Sequence, residues 1–177
     1  MAKEFFVGEW LKKRLILYAL SHMLVTPMAL IWMAQMGGGQ ALLPGGILWL
    51  ALLSFLSGAT FEVTRKTWGP EEEREGLDSY ARVLGVSRAP VVIMILLTAA
   101  AAVQAILLAR LLQEPAWIWF LLVGAVLVLP FWALLRFRAQ PSAVARKRNE
   151  AAVGLAMMLG YLILLAALVA EQGVAWV

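Results

Sequence analysis

The sequence predicts an all-α, polytopic membrane protein: five transmembrane helices in a bundle, preceded by a short N-terminal helix lying at the interface. Three observations carry this. The chain is 63% hydrophobic and only 15% charged, with a mean hydropathy of +0.83, too few polar side chains to clothe a water-facing surface. Five apolar stretches are long enough to cross a hydrocarbon core of ~30 Å at ~1.5 Å of helical rise per residue. The Lys and Arg residues cluster in alternate connections between them. The same composition excludes a soluble enzyme, a disordered tail and a nucleic-acid reader, because the net charge is only +4 and the basic residues form no single stripe, whatever the pI of 9.8 suggests. With no Cys there is no disulfide framework, thiolate metal site or cysteine nucleophile.

Residues 3–14 mix Phe5, Phe6, Trp10 and Leu11 with Lys3, Glu4, Glu9, Lys12 and Lys13, the pattern of an amphipathic helix at the membrane surface. The apolar run that follows is too long for a signal-peptide core. The predicted spans are 15–36, 42–60, 89–109, 115–135 and 151–170, none of which contains an Asp, Glu, Lys or Arg. Such runs must be helical, since an open strand would leave backbone amides unpaired in lipid. The whole chain, 1–177, is read as one transmembrane domain. All fifteen basic residues except Arg110 fall before the first span, between the second and third, or between the fourth and fifth. The excess predicts a cytoplasmic N-terminus and a C-terminus on the opposite side. Trp49, Trp117, Trp119, Trp132 and Trp176 sit near segment ends, as interfacial anchors do. Ser54, Ser57 and Gly58, and the run Ala99 to Ala102, are small-residue faces where a neighbouring helix can approach closely. Pro27, Pro44, Pro115 and Pro130 are compatible with kinks or helix starts.

Chemistry is expected in the charged cytoplasmic loop 61–88, which is too long and too charged for a mere connector. It holds Glu62, Glu71, Glu72, Glu73, Glu75 and Asp78, interleaved with Arg65, Lys66, Arg74, Arg82 and Arg88. Such a mixed field can hold a Mg²⁺ ion and a phosphate together: carboxylates grip the metal, the metal bridges phosphate oxygens, and Arg or Lys neutralises the remaining charge. Glu62, Arg65 and Lys66 share one face if the second helix continues past its apolar run. The plainer alternative is a solvated helix-end ion pair. His22, the single histidine, lies inside the first span, where it either contacts an acceptor molecule or hydrogen-bonds a neighbouring helix. Gln104 carries the same ambiguity, and Tyr18 and Tyr161 read as packing residues.

The segments Phe61-Glu62-Val63-Thr64-Arg65-Lys66, Pro70-Glu71-Glu72-Glu73-Arg74-Glu75-Gly76, Ser79-Tyr80 and Leu84-Gly85 resemble the second acidic cytoplasmic motif of the UbiA superfamily of intramembrane prenyltransferases. The opening EFFVGEWLKKRLILYALSHM resembles the run into the helix that begins the second half of that fold. The resemblance implies a helical cavity open to the cytoplasm, in which a Mg²⁺-bound isoprenyl diphosphate alkylates an acceptor. It assigns Glu62 and Glu72 to the metal, Arg65, Lys66 and Arg74 to the diphosphate, and His22 to a possible acceptor contact. The pattern departs from the usual Asp-x-x-x-Asp, with Lys66 four residues after Glu62. Only the C-terminal half of the fold is covered, without the first Asp-rich motif, so the expected enzyme needs a partner membrane subunit or a second copy of itself. The alternative is a catalytically degenerate structural or accessory subunit of a membrane complex. A transporter fits less well, because no intramembrane carboxylate marks an ion path.

Overall fold

The computed structural model describes residues 17, 21, 23–36, 44–73, 79–113 and 117–172. Among the described residues seven α-helices follow one another: α1 Val25–Met36, α2 Pro44–Arg65, α3 Tyr80–Leu84, α4 Ala89–Leu111, α5 Trp117–Val126, α6 Val128–Ala139 and α7 Ala143–Gln172, with a 3₁₀ turn at Pro70–Glu72. Among the described residues there is no strand. Among these residues four helical stretches are long and apolar enough to cross a membrane, namely Gly46–Arg65, Ala89–Leu111, Trp117–Ala139 and Ala143–Glu171. The shorter apolar α1 is the C-terminal part of the expected first span 15–36. The expected interfacial helix 3–14 lies outside the described residues. The architecture is an all-α membrane bundle.

Helices α2, α4 and α7 pack against one another, with α5 and α6 laid over α4 and α7, and α1 against α2. The bundle is tight where side chains are small. A Cβ on Gly58 would meet Met23 Sδ, just before α1, at 3.2 Å and Thr26 Oγ1 of α1 at 3.7 Å, which marks the close approach of this segment to α2. The interior has two apolar layers. Val63, Tyr80, Ala89, Ile93, Leu97, Leu134 and Val153 form one, and Leu53, Val103, Leu107, Leu108, Val123 and Leu164 belong to the other. Large apolar side chains such as Met28, Leu48, Ile95, Leu121 and Leu165 are exposed on the outside, the inverse of a soluble surface and suited to lipid.

Three element boundaries differ from the expected spans. Helix α2 runs on to Arg65, so 61–65 is helix and not loop. Helix α7 starts at Ala143, two turns before the apolar run 151–170. In both cases the helix outlasts its apolar stretch because backbone hydrogen bonding continues once the charged turns have left the hydrocarbon. The fourth span is broken at Leu127: Pro130 has no N–H to give the Val126 carbonyl its usual donor. The chain passes through a turn in which Leu127 N–H donates to Gly124 at 3.1 Å and Phe131 N–H to Leu127 at 3.1 Å.

The polar contacts separate the two ends of the bundle. At one end Gln113 N–H donates to Glu171 (3.1 Å) and Arg110 stacks over Trp49. At the other end the loop after α2 meets the start of α7. Arg65, Lys66, Arg82, Arg88, Arg136, Arg138, Arg146, Lys147 and Arg148 all belong to this second end, the charged head.

Candidate functional site

The charged head begins on α2. Thr60, Thr64 and Thr67 are buried and send their hydroxyls back to the carbonyls of Leu56, Thr60 and Val63 at 2.6 to 2.7 Å, so three polar side chains enter the packed end of the helix with no donor left over. Between them sits Glu62, its side chain 11% exposed. One carboxylate oxygen accepts from Arg65 Nη2 at 2.7 Å and the other lies 2.7 Å from Lys66 Nζ, the i, i+3 and i, i+4 partners that a continued helix provides. The cluster carries one net positive charge. The Lys66 carbonyl then accepts the Tyr80 N–H at 2.9 Å, tying α3 to the end of α2. Tyr80 is 4% exposed, and burial, aided by the nearby Glu62 charge, pushes its hydroxyl up to about 12.

A second cluster straps the loop to α7. The 3₁₀ turn opens with Gly69, whose N–H donates to Glu72 at 3.2 Å. Gly69 lies flat against the backbone between α6 and α7: a Cβ there would be 2.7 Å from the Ser142 carbonyl carbon and 2.9 Å from Ala143 N. Past this contact, Glu71 accepts the Ala143 N–H at 2.5 Å, and that bond, made at the first turn of α7, holds its carboxyl below the usual carboxylate range. Both Glu72 oxygens accept from Arg146 Nε at 3.0 and 2.9 Å, while Arg146 Nη1 reaches Glu150 at 3.0 Å. The Arg146 side chain is 15% exposed. Ser79 caps α3 by accepting from Arg82 N–H and donates its own hydroxyl to Glu73. Glu73 Oε2 and Asn149 Oδ1 are buried without a hydrogen-bond partner, and Asn149 is 1% exposed.

The expected site residues therefore divide. Glu62, Arg65 and Lys66 come together on one face, as their spacing predicts. Glu72 belongs to a separate network centred on Arg146, 74 residues away in sequence. Arg74 and His22 lie outside the described residues. Arg146 and Asn149 were not singled out as site residues from the sequence; the Arg146–Glu150 spacing on one helix face was a signal for the first, and nothing local marks the second. Tyr80 falls within the resembling motif, which gives it no role.

Among the described residues no three His, Cys, Asp or Glu side chains converge as a metal cluster. Mg²⁺ needs fewer: it commonly takes one or two protein carboxylates and fills its octahedron with waters and substrate phosphates. Glu62 is one carboxylate at the rim of the apolar bundle, and each of its oxygens already faces a cation at 2.7 Å. No family model, curated protein or solved structure matches the chain.

Proposed function

We propose that this chain is one half of a UbiA-type intramembrane prenyltransferase, handling a Mg²⁺-bound isoprenyl diphosphate at its charged head and completed by a partner membrane subunit or a second copy. The observation that carries the reading is the Glu62–Arg65–Lys66 cluster. It pairs a little-exposed carboxylate with two cations directly above an apolar interior, which matches an amphiphile with a phosphate head and a hydrocarbon tail.

Charge balance supports the assignment. A metal diphosphate brings both signs of charge, so Glu62 can pass from its cations to the metal while Arg65 and Lys66 pass to phosphate oxygens, and no group at the rim is left unpaired. Bound Mg²⁺ would offset the charge that develops on the departing diphosphate. In this reading Glu62 and Glu72 are the residues that would hold it, Arg65, Lys66 and Arg74 face the phosphates, and His22 is a candidate for the acceptor side. On the same reading the charged head faces the cytoplasm, the side that the basic excess favours.

The second reading, a structural or accessory subunit, has its own support in the Glu72–Arg146–Glu150 network, in which one guanidinium pairs with both carboxylates without any ligand. Prenyl transfer by material purified with and without its co-purifying membrane partners separates the two. The enzyme reading expects Mg²⁺-dependent transfer only with the partner or a dimer, and absence of transfer from every assembly overturns it.

A further inference from the structure

Between the helices, away from the charged head, a cavity of about 30 Å³ is bounded by residues of α2, α4, α7 and the α5–α6 break. Its lining is mostly apolar, but two polar side chains enter it. Gln104 of α4 is 8% exposed and Ser57 of α2 is 6% exposed, and both line the cavity, as does Val126. The Gln104 amide lies so close to α7 that a Cβ on Gly160 would overlap its nitrogen, and among the described residues no hydrogen bond to it is formed. Among the same residues Ser57 is reached by the Tyr161 hydroxyl at 3.4 Å, a weak bond at that length. The Val126 carbonyl is the one that Pro130 deprives of its helical donor.

Two side chains with unused hydrogen-bonding capacity thus border one small space, and Val126, whose carbonyl lacks its helical donor, lines it too. In lipid each would cost on the order of several kcal/mol if left unsatisfied. The space suits water and little else: a site needs about 10 to 15 Å³ of this measure and two to four polar partners to hold one molecule. A diphosphate, a quinone ring or an acyl chain is far too large.

We infer that this cavity is a hydration site, holding one or two ordered waters that bridge Gln104, Ser57 and the backbone of the α5–α6 break. The water replaces the donor lost at Pro130 and so makes the break a fixed feature of the fourth span. It joins α2, α4 and the broken α5–α6 span through a polar contact that their side chains do not make directly. The inference is independent of the function proposed above.

Magic-angle-spinning NMR of the full chain in lipid bilayers, with ¹⁵N-labelled glutamine, tests it. The Gln104 side-chain resonance is assigned by its loss in Gln104→Leu. The expected result is polarisation transfer from water protons to the Gln104 amide, at the level of a bound water and above that of the lipid-buried backbone of α4. Ser57→Val, which removes the hydroxyl and fills the cavity, should abolish it; if that variant fails to fold, Gly160→Ala, which pushes the amide into the cavity, should do the same. Transfer from acyl chains alone in the wild type, or water transfer unchanged in the folded variant, overturns the inference.

Discussion

Replacing Gly69 by Ala tests whether the charged loop is held to α7 by contact or merely lies near it. The backbone at Gly69 has φ −74° and ψ 160°, which any residue adopts, so conformational freedom is not what the position requires. Space is. The added Cβ would stand 2.7 Å from one backbone carbon and 2.9 Å from Ala143 N, against ordinary carbon contacts of about 3.5 to 4.0 Å. Neither neighbour is the end of a flexible side chain, so the two backbones must part by about 1 Å. That movement carries the Glu71–Ala143 bond (2.5 Å) and the Glu72–Arg146 bonds (2.9 and 3.0 Å) to or beyond the limit of a hydrogen bond. Overpacking of this kind costs about 1 to 3 kcal/mol, or a fall in melting temperature of roughly 2 to 12 °C for a chain of this size. Amide exchange at Ala143 should also quicken. Gly85→Ala is the control: its φ of +91° makes the substitution costly through strain, at about 1 to 3 kcal/mol, but no atom lies within 4 Å, so exchange at Ala143 should not change. A Gly69→Ala protein that melts like the wild type, with Ala143 exchange unaltered, would refute the strap.

Arg146→Met leaves Glu72 and Glu150 without their shared cation, and at this partly exposed site should cost about 1 to 3 kcal/mol in denaturant melts; Arg146→Lys should recover little of it, because an ammonium cannot reproduce the Nε and Nη1 geometry. One tyrosine should titrate late, near 12, by tyrosinate absorbance, and Tyr80→Phe should remove that step. Because its folded value is raised above the ordinary value of ~10, the stability tied to neutral Tyr80 is complete below pH ~10 and declines as pH rises toward 12. Single cysteines introduced into this Cys-free chain should react with an impermeant reagent from outside cells at Gln113 and not at Arg138; labelling at Arg138 in sealed cells contradicts the proposed sidedness.

The parts of the fold that depend on the bilayer were legible, because hydropathy registers what lipid requires. The third expected span, 89–109, differs from α4 by two residues since its apolar run and its helix end together. The expected spans 42–60 and 151–170 stopped short of the ends of α2 and α7 for the opposite reason: Glu62 and Arg146 lie on turns that remain hydrogen-bonded beyond the hydrocarbon. Pro130 announced the break at Leu127, though not its role in bordering a cavity. Within the charged head, the Glu62, Arg65 and Lys66 grouping follows from helical spacing alone. The union of Glu72 with Arg146 did not follow from anything local. It depends on how the 3₁₀ turn settles against the connection between α6 and α7, a tertiary fact with no periodicity to betray it. The same holds for Asn149, whose burial is decided by the elements that close over it.

Titration of the purified chain in detergent with an isoprenyl diphosphate, with and without Mg²⁺, tests the proposed site most directly. The account predicts Mg²⁺-dependent binding that weakens in Glu62→Gln by about 1 to 3 kcal/mol, roughly five- to a hundred-fold in Kd, and weakens also in Lys66→Ala, both variants retaining the fold by thermal melt. No Mg²⁺-dependent binding by the wild type, or folded variants that bind as the wild type does, contradicts it.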